Sequence, residues 1–77
     1  MMKELKMPRL RSDMEKAMLC AWLKEPGEAF EAGEALFEVE VEKMTSEVLA
    51  ENSGVMGRQL AEEGDEVEVG AVLAEVE

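Results

Sequence analysis

An internal repeat with an offset of 37 residues is the feature that most limits how this chain can fold. Residues 19–40 align with residues 56–77 without a gap. The two copies share leucines, spaced glycines and a closing Glu-Val-Glu triplet, and the identical pairs are Leu23/Leu60, Glu25/Glu62, Gly27/Gly64, Glu31/Glu68, Gly33/Gly70, Leu36/Leu73, Glu38/Glu75, Val39/Val76 and Glu40/Glu77. Agreement at this density indicates one structural unit used twice. We therefore expect two halves related by a pseudo-twofold axis.

Each copy of the repeat has the alternation of a β-strand. Apolar and acidic residues alternate over residues 36–41, which predicts a half-buried strand with Phe37, Val39 and Val41 on one face. The β-branched residues that follow favour continuation as a second strand. Further strands are predicted at residues 45–49, 67–69 and 72–76.

Residues 14–21 are less clear, because their intrinsic propensities also allow a helix. The repeat decides the assignment. The equivalent segment, residues 55–60, follows a glycine and starts with a β-branched valine. We therefore interpret residues 14–21 as partly strand.

Turn residues interrupt the chain about every six to ten residues. The turns are marked by Pro26-Gly27, Gly33, Asn52-Ser53-Gly54, Gly64-Asp65 and Gly70, where a reversing chain favours positive φ. Several short strands at this spacing indicate a small all-β sandwich or barrel. With 77 residues, the chain is predicted to form one domain over residues 1–77.

The charge distribution argues against two classes of partner. The formal net charge is −11; residues 1–24 carry six basic and three acidic side chains, whereas residues 25–77 carry two basic and sixteen acidic ones. Nucleic acids and anionic membranes both attract clustered Lys and Arg, so neither is an expected partner. No apolar run approaches the length of a membrane span. We expect a cytoplasmic protein whose acid excess mainly keeps it soluble.

Few residues in the chain could perform catalysis. There is no histidine, and the single cysteine, Cys20, lies within the apolar run at residues 18–23. Without a histidine to activate it, Cys20 is interpreted as a small core residue and not as a nucleophile. A zinc site built on His and Cys is excluded for the same reason. The sequence therefore predicts no catalytic residue and no metal ligand.

The repeat also predicts where a protruding tip lies. One junction between the halves falls at residues 41–44, and its symmetric counterpart falls near residues 4–7, beside the chain ends. A twofold axis places these two junctions at opposite ends of the molecule. Lys43, the only lysine after position 24, lies in the tip. A lysine in an exposed turn is most often merely solvated, but its place at the symmetry junction makes Lys43 the candidate functional residue.

The sequence around Lys43 resembles the lipoyl domain of the acyltransferase component of 2-oxo acid dehydrogenase complexes. Glu40-Val41-Glu42-Lys43 is similar to that family's Glu-Thr-Asp-Lys, in which the lysine is lipoylated. The other matching segments include Lys6-Met7-Pro8-Arg9-Leu10, residues 22–28, Gly33, Leu36, Glu47-Val48, Gly54-Val55, Glu63-Gly64-Asp65, Val69-Gly70 and Leu73. The resemblance implies a flattened barrel of two four-stranded antiparallel sheets, with lipoate amide-linked to Lys43 at a hairpin tip.

The same resemblance implies a set of partners for a non-catalytic carrier. A lipoate-protein ligase would modify Lys43. The acyl group would then pass from a thiamine-diphosphate-dependent decarboxylase to an acyltransferase catalytic domain, and a flavin dihydrolipoamide dehydrogenase would restore the cofactor. The isolated domain is expected to be monomeric.

The chain departs from the family pattern in two places. Arg11 and Ala17 replace glycines that are common in the loop after the first strand, which in the family lies near the lysine and helps the decarboxylase recognise its domain. These two replacements should stiffen the loop. Val41 replaces a threonine, and Met44 replaces a small residue or valine.

Two alternative functions stay open at this point. Biotin carrier domains share this fold and present a lysine flanked by methionine on both sides; here Met44 fits that pattern, whereas Glu42 matches the lipoyl acid. We weigh Glu42 more heavily, since a ligase must read the neighbours of the lysine. The second alternative is an unmodified lipoyl-like module used only for binding or structure.

Overall fold

The computed structural model describes residues 2–77 and confirms the predicted all-β fold. The eight strands are β1 (Lys3–Lys6), β2 (Lys16–Trp22), β3 (Ala29–Phe30), β4 (Ala35–Val41), β5 (Met44–Leu49), β6 (Gly54–Gln59), β7 (Glu66–Glu68) and β8 (Val72–Val76). The segment that could have been a helix is strand β2, as the repeat predicted. Across residues 2–77, the structure contains no helix with the length and apolarity needed to cross a membrane.

The strands form two four-stranded antiparallel sheets. One sheet has the order β1-β8-β6-β3 and the other has the order β5-β4-β2-β7. The molecule measures 32 × 22 × 18 Å along its principal axes, which is the flattened shape expected of two small sheets packed face to face.

The 37-residue repeat converts one sheet into the other. Under that offset β2, β3 and β4 fall on β6, β7 and β8, and with β1 in the place of β5 the order β5-β4-β2-β7 corresponds to β1-β8-β6-β3. The register is retained as well: Leu19 pairs with Val39 as Met56 pairs with Val76. The predicted pseudo-twofold relationship is therefore present in the hydrogen-bonded register.

The core lies between the sheets and is drawn from both copies. The largest side chains that are fully buried are Phe37, Met7, Leu19, Met56, Leu73 and Val39. The rings of Trp22 and Phe37 meet edge to face, with centroids 5.5 Å apart. The alternation predicted for residues 36–41 is confirmed over residues 37–40, where Phe37 and Val39 are fully buried and Glu38 and Glu40 are half-buried. It fails at Leu36, which is also buried, because the register of β4 shifts between Ala35 and Phe37.

The interpretation of Cys20 as a core residue is wrong. The register of β2 against β4 shifts between Leu19 and Ala21, so a bulge leaves Cys20 without a paired residue and its side chain half-buried. Partial burial, followed by the nearby carboxylates of Glu38 and Glu40, raises the pKa of the Cys20 thiol above its ordinary value. Alternation alone does not reveal a bulge, which inserts one residue into the period.

Four turns of one kind connect the strands. In each, the fourth residue donates its N–H to the first residue's carbonyl at 3.0–3.1 Å, and the third residue is a glycine with φ between 90° and 97°, as in a type II turn. The turns are residues 25–28, 31–34, 62–65 and 68–71. Gly54, which was also predicted to have positive φ, instead begins β6. A Cβ at Gly54 would lie 2.5 Å from the Glu77 carbonyl oxygen, so close approach of the backbones explains this glycine.

Candidate functional site

The hairpin between β4 and β5 carries Lys43 at its tip. Val41 pairs with Met44, which leaves a loop of only Glu42 and Lys43, and both have positive φ, at 50° and 67°. Two positive φ values in a two-residue loop define a type I′ turn, whose twist matches that of the flanking strands. Such turns are usually built from Asn and Gly, since the left-handed conformation costs other residues about 1–2 kcal/mol each.

The tip is the end of β4, a strand that has a partner strand on each side. β4 lies between β5 and β2, and it is paired along its length on both sides. Phe37 and Val39 on this strand are fully buried. The turn therefore extends from a strand whose side chains are packed in the core.

The amine of Lys43 is available for a partner. The residue is exposed, and none of the ion pairs formed among residues 2–77 includes it. The next residue, Met44, is 69% exposed, so the tip offers an apolar thioether beside the amine. An unpaired primary amine at the apex of a fixed turn fits covalent attachment of a carboxylic-acid cofactor through an amide.

Lys3 and Glu77 lie at the other end of the molecule from the tip. Lys3 and Glu77 line a shallow groove together with Leu49, which ends β5. Leu49 is five residues from Met44, so the rise along the strand separates this groove from the tip by roughly 17 Å. This arrangement agrees with the predicted separation of the tip from the termini.

The exact counterpart of the tip was predicted wrongly. Leu5 pairs with Ala74 as Val48 pairs with Phe37, so β1 corresponds to β5 with an offset of 43 and not 37. The counterpart of Met44 is then position 1, which lies outside the described residues, and not the segment at residues 4–7. The pattern alone could not show this, because β1 precedes the first repeat copy.

The loop between β1 and β2 reaches the tip through an ion pair. The Arg11 Nη1 atom donates to Glu42 Oε2 at 2.9 Å, and Arg11 Nε lies 3.5 Å from Asp13 Oδ1. The hydrogen bond to Glu42 and the charges of both carboxylates raise the pKa of Arg11 above its ordinary value. Sequence analysis singled out Arg11 as a departure from a glycine, but it did not identify Glu42 as its partner.

Comparison with known proteins gives the same family by sequence and by structure. The family model described as a biotin-requiring enzyme, Biotin_lipoyl, matches residues 3–76. The succinyltransferase component of the 2-oxoglutarate dehydrogenase complex is 41% identical over 75 residues in Staphylococcus saprophyticus and 39% identical over 75 residues in Bacillus subtilis. Each alignment covers 97% of this chain but only 18% of the relative's length.

Two solved structures resemble the chain, one in sequence and fold and the other in fold alone. The solution structure of the lipoyl domain of the Azotobacter vinelandii 2-oxoglutarate dehydrogenase complex has a TM-score of 0.77 at 32% identity, and the match covers 96% of this chain and 94% of that one. A single-chain, multi-domain long-chain acyl-CoA carboxylase has a TM-score of 0.80 at 20% identity, covering 97% of this chain and 7% of that one. At that identity the second likeness concerns the fold alone.

The fold, the exposed lysine at a hairpin tip and these relatives define a class of carrier module that works without catalytic residues. The chain belongs to the biotin/lipoyl attachment family, and within that family it is a lipoyl domain.

Proposed function

We propose that Lys43 is the attachment site of lipoate and that the domain presents this group to the active sites of a 2-oxo acid dehydrogenase complex. The observation that carries the proposal is the position of Lys43, in a two-residue type I′ turn at the end of the molecule away from the termini. A tethered carrier needs its reactive group at that end. The module we propose to act in this way comprises residues 1–77.

Glu42 and the relatives favour lipoate over biotin. The residue before Lys43 is an acid, and the 2-oxoglutarate dehydrogenase relatives match across 97% of the chain. The carboxylase likeness, at 20% identity, concerns the fold alone and gives biotin no comparable support. An unmodified module is disfavoured because an unpaired lysine at a strained turn position has no structural benefit.

The chain contributes presentation, and the cofactor contributes the reaction. Lipoate, when attached, supplies a dithiolane that can take up and release an acyl group. Amide formation on Lys43 removes one positive charge from the tip, which leaves Arg11 as the cation that faces Glu42. Tethering to the domain raises the effective concentration of the attached group at each partner site.

The proposed partners are those of the larger complex. They are a lipoate-protein ligase, a thiamine-diphosphate-dependent decarboxylase, an acyltransferase catalytic domain and a flavin dihydrolipoamide dehydrogenase. The chain spans about a fifth of its relatives' length, 18%, so these partners follow from the relatives' complexes and not from contacts in this structure. We further propose that the isolated domain is monomeric and cytoplasmic.

Intact mass spectrometry tests the attachment. The chain is expressed with lipoate, biotin and both ligases, and the mass of the purified protein is measured. We expect a lipoyl increment that disappears in Lys43→Arg and persists in the matched control Lys16→Arg. A biotinyl increment would show that the chain carries biotin and not lipoate. The absence of any increment would support the unmodified module.

A further inference from the structure

Arg11 reaches the tip from a distant part of the chain. Its guanidinium contacts a carboxylate 31 residues later in the sequence, at 2.9 Å. The carboxylate belongs to Glu42, the first residue of the turn that holds Lys43, and Glu42 has a φ of 50°. A left-handed glutamate is unfavourable by itself, so an interaction that fixes its side chain also favours its backbone conformation.

The loop that carries Arg11 is itself braced. Met14 is 3% exposed and anchors the loop in the core. The Arg9 guanidinium donates to the carbonyl oxygens of Ser12 and Met14, and the Met14 N–H donates to the Arg11 carbonyl at 3.1 Å. Arg11 therefore extends from a folded loop, and its guanidinium is further held by Asp13.

We propose that Arg11 is a positioning residue for Lys43: through its ion pair with Glu42 it stabilises the type I′ turn in which the Lys43 amine is presented to the modifying ligase. The ion pair opposes the tendency of Glu42 to return to negative φ. In the absence of Arg11 the turn visits other conformations, and a smaller fraction of molecules presents Lys43 correctly. The part of this proposal that concerns the ligase rests on the proposed lipoylation of Lys43.

If Arg11 acts through the backbone of the turn, its effect must depend on which residue occupies position 42. Glycine adopts positive φ without penalty, so Glu42→Gly should make Arg11 unnecessary for the turn. An incidental surface ion pair would have no link to the backbone at position 42. Glu42→Gln removes the carboxylate but keeps a side chain at position 42, so it should weaken the turn as Arg11→Ala does, whereas Glu42→Gly should not; an incidental surface ion pair predicts that neither Arg11→Ala nor Glu42→Gln changes the turn.

Nuclear magnetic resonance on the unmodified 77-residue chain measures the turn directly. A strong intraresidue HN–Hα Overhauser effect marks positive φ at Glu42 and Lys43. We expect Arg11→Ala to weaken both signals and to speed amide exchange at Met44, with partial recovery in Arg11→Lys. In the Glu42→Gly background, Arg11→Ala should have no further effect on Lys43.

Steady-state lipoylation by a lipoate-protein ligase, followed by intact mass, measures the consequence. When only part of the population is competent, the apparent affinity falls by that fraction. We expect KM for Arg11→Ala to rise about twofold to fivefold with kcat unchanged, the size expected of an exposed ion pair. The rise should vanish in the Glu42→Gly background.

The possible failures are distinguishable. If the wild-type chain is not modified at Lys43, the proposed function fails, and the magnetic resonance experiment still tests the turn. If the wild type is modified but Arg11→Ala changes neither the turn signals nor KM, the positioning role is overturned. An effect of Arg11→Ala that persists unchanged in the Glu42→Gly background also overturns it.

Discussion

Glu42 and Lys43 are consecutive residues that both have left-handed backbones, with φ of 50° and 67°. The sequence places a strained pair at the one point where the hairpin reverses. Glycine or asparagine would relieve that strain, but neither would provide an amine. The proposed attachment of a cofactor to Lys43 would explain a local choice that stability alone would disfavour.

The first prediction concerns that strain. Lys43→Gly should raise the free energy of unfolding of the unmodified domain by about 0.5–1 kcal/mol, because glycine adopts φ near 67° without steric cost. Urea denaturation followed by Trp22 fluorescence measures the change. Lys16→Gly, at the first residue of β2 where φ is not positive, is the matched control and should lower stability. Equal or lower stability for Lys43→Gly would show that the turn is unstrained.

The second prediction concerns acid stability at Glu34. Its carboxylate accepts the Glu31 N–H at 2.7 Å and lies 3.1 Å from the Lys24 Nζ atom, and these contacts, the backbone hydrogen bond first, lower the pKa of Glu34 below its ordinary 4.5. A carboxyl group with a lowered folded pKa stabilises the protein fully above its unfolded pKa. That stabilisation is lost as the pH falls through the lower, folded pKa.

The difference in unfolding free energy between wild type and Glu34→Gln should therefore be constant above about pH 5 and shrink below pH 4.5. Urea denaturation between pH 3 and 7 (about five points) measures it. The exposed Glu51, which has no recorded ion pair among residues 2–77, supplies the control Glu51→Gln. A difference that grows as the pH falls would contradict the assigned contacts.

The third prediction concerns the turn at residues 68–71, the one of the four glycine turns that has no acid at its fourth position. In three of the four glycine turns, the acid at the fourth position accepts the N–H of the first residue at 2.7–3.0 Å, and these acids are Glu28, Glu34 and Asp65. Ala71 is the repeat equivalent of Glu34 and has no carboxylate. Ala71→Glu should add this hydrogen bond to the Glu68 N–H and raise the free energy of unfolding by about 0.5–1.5 kcal/mol.

Ala71→Met tests whether side-chain length alone produces the gain, since methionine extends as far but is a poor acceptor. Both variants are compared by urea denaturation at about 0.15 M salt, which screens the added negative charge. A gain shared by Ala71→Met would exclude the hydrogen bond as the cause.

The features that sequence could predict are those fixed by local pattern. Alternation located β4, and the repeat identified the ambiguous segment at residues 14–21 as partly strand, because its copy at residues 55–60 follows a glycine and starts with a β-branched valine. The position of Lys43 at a tip followed from the same symmetry. These predictions required no knowledge of how distant side chains meet.

The features that sequence missed depend on distance in the chain or on small changes of register. The bulge at Cys20 shifts the period by one residue without any unusual amino acid to mark it. The turn type at Glu42 has no composition signal, since Glu-Lys is not a usual type I′ pair. The contact with Arg11 depends on how the loop at residues 7–15 folds, which local propensity does not determine.

The fourth prediction contrasts two equivalent bulge positions in the repeat. Gly57 corresponds to Cys20, yet a Cβ at Gly57 would lie 2.6 Å from the Glu75 carbonyl oxygen and 2.8 Å from the Met2 methyl. The methyl can move, but the carbonyl belongs to the paired strand β8. Gly57→Ala should therefore lower the free energy of unfolding by about 1–3 kcal/mol. Cys20→Ala keeps a Cβ that the first copy already accommodates and should cost under about 1 kcal/mol. Urea denaturation of both variants measures the two losses of unfolding free energy. Similar losses at the two positions would contradict the steric difference between the two bulges.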